Sequence, residues 1–355
     1  MRVVGREARR AGARTTALVV ASTIVGLVVT ELCLRAFVPA MAAGSAARFT
    51  LDPDLIYRLE PDNAVTWSSA EFTETSHTNA LGLRGAALGR KTPHTRRILA
   101  IGDSFTYGHG VQDDETYPAV AERVLRRRGY DVEVVNAGVP GYNTDQAYTW
   151  TLRDGLALRP DLVLLGVHCS DVSDNFESSL YDVDGDRLVR RGAAATRMYR
   201  LGSLVGLVPS AVRRSRVFDL LVASFEWHDA PSARPAVADL DAWSFTKIRL
   251  EVADLAAHVP SLAVILMPCK KALAGGADPY GSLAHDLRAV GVPVLDAMRA
   301  LRAVTPPPAA LFFRADPHLN VDGNRALAEA AAAFVEESGL LAQPAAVVAV
   351  SAPTR

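Results

Sequence analysis

The sequence predicts an α/β fold with a five-stranded parallel sheet, set behind one membrane-spanning helix. Three observations carry that expectation. From Arg96 onward, short β-rich apolar runs alternate with segments of helical periodicity, the pattern of parallel strands joined by crossover helices. Ahead of them, a cluster of arginines precedes a stretch without charge. With 355 residues, 49% of them apolar, the chain is long enough to bury a sizeable core around such a sheet.

The N-terminal element comes first. Arg2, Arg6, Arg9, Arg10 and Arg14 form a basic tail over residues 1–14, and residues 15–30 carry no charge. That run is shorter than the roughly 20 residues needed to span a bilayer. Glu31 and Arg35, four apart, can pair or snorkel at the far interface and extend the helix, so an anchor is expected over residues 15–38. The positive-inside pattern puts the N-terminus in the cytoplasm and the remainder outside it. The alternatives are a cleaved signal peptide, with Ala40-Met41-Ala42 as its box, and a buried helix of a soluble fold. The box lies too far beyond the apolar run for the first, and the basic cluster is wrong for the second. Residues 39–95 read as a stem and an irregular or hairpin-rich preface, including Thr78-Asn79-Ala80-Leu81-Gly82-Leu83-Arg84-Gly85.

The main domain is expected over 96–340. Strands are predicted at 98–101, 132–136, 161–167, 262–267 and 292–295, and helices at 118–128, 144–158, 240–258, 283–290 and 321–338. Residues 175–239 break this rhythm, being far longer than the roughly 2 to 6 residues of an ordinary connection. The insertion opens on a hairpin-like turn at 182–188 and continues as Arg-rich helical sequence to Trp227, and it reads as a cap over the site rather than a surface elaboration. Residues 341–355 read as a disordered tail. The 38 basic and 39 acidic residues nearly cancel, so no global field points to nucleic acid. Three cysteines, Cys33, Cys169 and Cys269, are too few and too scattered for a disulfide scaffold or a CxxC metal site. Cys169 and Cys269 end the third and fourth strands and are expected near each other, as a disulfide or as two buried thiols.

Chemistry is expected where the strands end, because an open parallel sheet binds ligands beyond its carboxyl edge. Ser104 follows the first strand directly, between Gly102-Asp103 and the glycines Gly108 and Gly110. A plain strand-to-loop turn would favour the same residue types. A serine hydroxyl needs a base to become a nucleophile, and the base needs a third group to fix its tautomer. Of eight histidines, His318 stands out, in Asp316-Pro317-His318-Leu319-Asn320 just before the last helix. His109 and His168 are the competing bases. A metal set from His109, His168, Asp171 and Asp174 lacks a recognisable ligand spacing, and no metal or cofactor is expected. Two loops offer donors for an oxyanion: 136–144, with Gly138 and Gly141, and 166–171, with Ser170.

Together these blocks, over residues 97–338, resemble the SGNH/GDSL hydrolases, membrane-anchored bacterial members among them. Gly102-Asp103-Ser104 with Gly108 matches the first block; Gly141 in an N-A-G-x-x-G context matches the second; Asp316, His318, Asn320 and Gly323 match the last. The resemblance implies a flavodoxin-like three-layer sandwich, a catalytic triad of Ser104, His318 and Asp316, and an oxyanion hole from Ser104, Gly141 and the third-block position. That position normally holds asparagine, and here it is Ser170. The usual acid position, three before the histidine, is Ala315, and the D-x-H spacing found instead resembles SGNH-like proteins of polysaccharide O-acetylation. The implied function is ester hydrolysis through an acyl-enzyme on a small-molecule or glycan ester. The alternatives are an O-acyltransferase acting on an envelope polysaccharide, with envelope assembly partners, and a catalytically weakened carbohydrate-binding protein.

Overall fold

The structure is a computed structural model that describes residues 2–37, 48–206, 208, 212, 215–218, 239–304 and 307–341. Helix α1 (Arg2–Phe37) comes first. Its segment Arg14–Ala36 is long and apolar enough to cross a membrane, and its apolar window buries nothing against the rest of the chain. Glu31 and Arg35 pair along it at 2.7 Å, the expected i,i+4 contact. The cleavage box at 40–42 and the tail from 342 lie outside the described residues.

Residues 49–77 form two antiparallel hairpins, β1 (Phe49–Asp52) with β2 (Ile56–Leu59) and β3 (Ala64–Ser68) with β4 (Thr73–His77). The first closes because Asp52 accepts the N–H groups of Asp54 and Leu55 on one carboxylate oxygen, an Asx turn. Then come β5 (Arg96–Ile101), the single helical turn α2 (Ser104–Tyr107), α3 (Tyr117–Arg127), β6 (Val132–Asn136), α4 (Thr144–Arg153), β7 (Leu162–Val167) and α5 (Asp171–Glu177). A third hairpin follows, β8 (Tyr181–Asp184) and β9 (Arg187–Arg190), turning at Gly185, and then α6 (Arg197–Gly206). The continuation of the insertion over 219–238, Trp227 included, lies outside the described residues. The fold closes with α7 (Leu240–His258), β10 (Leu262–Leu266), α8 (Lys270–Leu273), α9 (Leu283–Ala289), β11 (Val294–Asp296), α10 (Ala297–Arg302) and α11 (Val321–Glu337).

The central sheet is five-stranded and parallel throughout, in the order β6-β5-β7-β10-β11. Counted along the chain this is 2-1-3-4-5, the flavodoxin-like order, and its switch point lies between β5 and β7. Every residue of β7 and β10 is buried, as strands covered on both faces must be. Alternation divides the two faces: Ile98, Val134 and Leu164 line a cleft with residues of α3 and α11, whereas Leu99 points to the opposite face, toward Gly155 just after α4.

Several elements differ from their expected form, among them the short helices α8 and α10, which fall outside the predicted set. The helix predicted over 144–158 ends at Arg153 and passes into a 3₁₀ turn, Gly155–Leu158, where Gly155 sits tight against Leu99 and Trp150. The last strand begins at Val294 rather than 292, since Pro293 has no N–H to donate to a ladder. Helix α5 was not anticipated; its Ser- and Asp-rich sequence reads as loop, yet Asp171 and Asp174 in its first turn suit a helix N-terminus.

Candidate active site

The site is assembled around the end of β5. Asp103 is the N-cap of α2, its side chain accepting the Phe105 N–H at 2.9 Å, so the chain turns sharply and Ser104 becomes the first helical residue. The turn ends at Gly108 in the left-handed region, φ +87°. The loop after β6 lies directly against it: a Cβ on Gly138 would stand 2.2 Å from the Tyr107 nitrogen. Asn136 secures the contact, donating to the Tyr107 carbonyl at 3.2 Å and accepting the Gly138 N–H at 3.0 Å. Gly141 follows at φ +78°, close under the Tyr57 hydroxyl. Among the described residues, neither the Ser104 N–H nor the Gly141 N–H donates to a protein acceptor.

The structure brings Ser104, His318 and Asp316 together. Ser104 Oγ lies 2.7 Å from His318 Nε2, and His318 Nδ1 lies 2.7 Å from Asp316 Oδ1. The same Oδ1 accepts the His318 backbone N–H at 2.9 Å, an Asx turn that makes the short D-x-H spacing sufficient. A carboxylate only accepts, so Nδ1 carries the proton and Nε2 is left to accept from the serine hydroxyl. Burial pushes the Asp316 carboxyl up, but the hydrogen bonds from His318 outweigh it and hold the group below its ordinary value. Asp316 is therefore ionised at neutral pH.

The two competing histidines are placed differently. His109 packs edge-on between Trp67 and Phe72 and 4.6 Å from the His318 ring. His168 stacks on Phe105 at 4.2 Å. Burial, with the nearby His318, lowers both to about 3, so both stay neutral at physiological pH. The metal set weighed from the sequence, His109, His168, Asp171 and Asp174, is not brought together among the described residues. His109, Asp316 and His318 do converge within 4.8 Å, but both His318 nitrogens are already engaged by Asp316 and Ser104. Beneath Ser104, burial pushes Asp103 up to about 6 and Asp171 well above its ordinary value.

Ser170 is at the end of β7 as expected, but its hydroxyl lies 3.0 Å from His168 Nδ1, and its N–H donates to the same nitrogen at 3.3 Å. The Ser170 hydroxyl is thus engaged beside His168, and it also hydrogen-bonds the Asp174 carboxylate. Asn175, a neighbouring alternative donor, is buried with Thr144 and Ser244 instead. Cys169 and Cys269 form a disulfide, Cα to Cα 6.3 Å, tying the ends of β7 and β10.

Several residues at the site gave no signal in the sequence. Glu71 accepts the N–H groups of Ala315 and Asp316, while Lys270 donates to the carbonyls of Phe313, Arg314 and Asp316. Buried Glu74 accepts from Arg48 at 2.9 Å and from the Gly110 N–H. Buried Arg84 donates to the carbonyls of Tyr107, Gly108 and Val111. Of these only Arg84 stood in a noted segment, and a charge inside a turn-rich run has no periodicity to mark it as buried.

Two family descriptions match adjacent parts of the chain. "GDSL-like Lipase/Acylhydrolase family" matches residues 100–246, and "SGNH hydrolase-like domain, acetyltransferase AlgX" matches residues 246–354. No curated protein matches. Similar solved structures include the lipase/acylhydrolase from Enterococcus faecalis, 16% identical, covering 68% of this chain and 96% of that one, with a TM-score of 0.41. A catalytic mutant of Axe2, an acetylxylan esterase from Geobacillus stearothermophilus, is 18% identical and covers 69% and 94% with a TM-score of 0.42. An enzyme from the Lake Arreo metagenome, LAE5, is 17% identical and covers 70% and 97% with a TM-score of 0.41. On the two family matches and its five-stranded parallel fold, the chain belongs to the SGNH/GDSL hydrolases.

Proposed function

We propose that the chain is a single-pass, membrane-tethered ester hydrolase, with its catalytic domain outside the cytoplasm and Ser104 as nucleophile. The observation that carries this reading is the unbroken relay from Asp316 through His318 to Ser104, with both side-chain contacts at 2.7 Å. Ser104 Oγ attacks the ester carbonyl while His318 Nε2 takes its proton. The imidazolium so formed is stabilised by ionised Asp316. The oxyanion is received by the N–H groups of Ser104 and Gly141. His318 then gives its proton to the departing alkoxide, and water resolves the acyl-enzyme by the reverse sequence. With the Ser170 hydroxyl turned to His168, the hole rests on two backbone donors; a missing donor costs about 10²- to 10³-fold in rate. The disulfide between Cys169 and Cys269 suits an oxidising compartment beyond the membrane.

A second reading is favoured by one finding, the match of residues 246–354 to an SGNH hydrolase-like domain of the acetyltransferase AlgX. In it the same acyl-enzyme is captured by a sugar hydroxyl of an envelope polysaccharide instead of water. Turnover of p-nitrophenyl acetate by the full-length protein in detergent, with and without a glycan acceptor, tests both. Ser104-dependent release of acetate supports hydrolysis, and acetylated glycan supports transfer. Turnover that survives Ser104→Ala contradicts both.

A further inference from the structure

The loop that carries Asp316 and His318 is gripped from two sides by residues outside it. On its N–H side stands Glu71, in the turn between β3 and β4. Its carboxylate accepts from Ala315 N–H at 2.9 to 3.0 Å and from Asp316 N–H at 2.8 Å. On its carbonyl side stands Lys270, the residue after the disulfide-bonded Cys269. Its ammonium donates to the carbonyls of Phe313 at 2.7 Å, Arg314 at 2.8 Å and Asp316 at 3.1 Å. Phe72, next to Glu71, packs on Phe313 with ring centroids 4.7 Å apart. An Asx turn alone leaves the strand-like stretch before it free to pivot. Opposite charges on its two edges fix both rows of backbone polar groups.

We infer that Glu71 and Lys270 are positioning residues for the Asp316–His318 pair, so that the β3–β4 hairpin, which lies outside both family matches, is part of the catalytic apparatus. The inference rests on the reading of Ser104, His318 and Asp316 as a triad. Its chemistry is specific. The N–H bonds from Asp316 and Ala315 hold the Glu71 carboxyl below its ordinary value, so it stays anionic wherever the enzyme works. An anion there supports the imidazolium that forms on His318, in addition to fixing its partner. The other groups facing that ring are Asp316 from its own loop, His109 from the loop after α2, His168 from the end of β7 and buried Asp103 below.

The test compares the full-length wild type with Glu71→Gln and Lys270→Met in detergent, using p-nitrophenyl acetate across pH 5 to 9 and a thermal melt of each. Glu71→Gln is expected to lower kcat about tenfold with KM within about twofold. Its acid limb should also move to lower pH, because removing the anion disfavours protonated His318. Lys270→Met is expected to lower kcat by a similar factor at unchanged KM. A purely structural role would lower the melting temperature and the active fraction without moving the limb. An active wild type with a Glu71→Gln variant whose kcat and acid limb match it overturns the inference alone. A wild type without Ser104-dependent turnover overturns the triad reading and the inference together.

Discussion

Arg84 lies over the ring of Tyr107, its guanidinium carbon 4.3 Å from the ring centroid, and donates to the Tyr107 carbonyl at 2.9 Å. The same guanidinium reaches the carbonyls of Gly108 at 2.7 Å and Val111 at 2.6 Å, and Asp113 at 2.9 Å. It therefore satisfies the carbonyls at the C-terminal end of the turn that begins with Ser104. Arg84→Met keeps the bulk and removes every donor, so the Val111 carbonyl loses its partner, while those of Tyr107 and Gly108 keep only the longer bonds from Asn136 and the Val111 N–H. Hydrogen bonds to a charged group are worth about 1.5–3 kcal/mol each, so a loss of more than about 3 kcal/mol is expected, read as a lower denaturant midpoint.

Gly138 gives a second, sharper prediction. Its missing side chain leaves room for the backbone at Tyr107, and a Cβ would stand 2.2 Å from that nitrogen. Gly138→Ala must push the nucleophile turn away from the loop after β6. Overpacking of this kind costs about 1–3 kcal/mol. Acylation of Ser104 should slow by at least about tenfold, measured as the rate of labelling by a fluorophosphonate.

These two residues also show what was legible in the sequence. Gly138 belongs to the N-A-G-x-x-G block, Ser104 directly follows a strand, and Asp316 and His318 share a short segment just before the last helix, so local pattern finds them. The five-stranded parallel sheet was legible for the same reason: strands such as 162–167 are continuous apolar runs. Glu71, Arg84 and Lys270 act across long sequence separations, through backbone groups of other loops, and no local pattern encodes that. Ser170 was found by block position, but the contact of its hydroxyl with His168, two residues back in the same loop, depends on side-chain rotamers that a sequence pattern does not encode.

The buried histidines predict a pH dependence of stability. Burial lowers His168 and His109 from the ordinary 6.5 to about 3. Between those values the unfolded chain binds more protons than the folded one, so their effect is a loss of stability as pH falls below about 6.5. Asp103 and Asp174, pushed up by burial from 3.8 to about 6, act oppositely: the stability they contribute fades as pH rises from about 4 to 6. His168→Gln removes one of the first kind and should make the acid loss shallower, by at most about 1.4 kcal/mol per pH unit. Urea midpoints from pH 4 to 7 measure it. The same variant should keep Ser104 labelling within about tenfold of wild type, since His168 is not the base.

The disulfide closes a separation of 100 residues, between strand ends that carry Ser170 on one side and Lys270 on the other. Its removal by Cys169→Ser with Cys269→Ser should cost about 2–4 kcal/mol. Non-reduced peptide mapping should find Cys169 and Cys269 in one linked species, with Cys33 outside it. Two unlinked peptides would contradict the pairing.

The central claim is that His318 activates Ser104. Mass spectrometry of the full-length protein after fluorophosphonate treatment tests it most directly. A single adduct on Ser104 is expected, absent in Ser104→Ala and slowed by about 10³-fold or more in His318→Gln. An adduct elsewhere, or labelling of Ser104 that proceeds equally fast without His318, would contradict it.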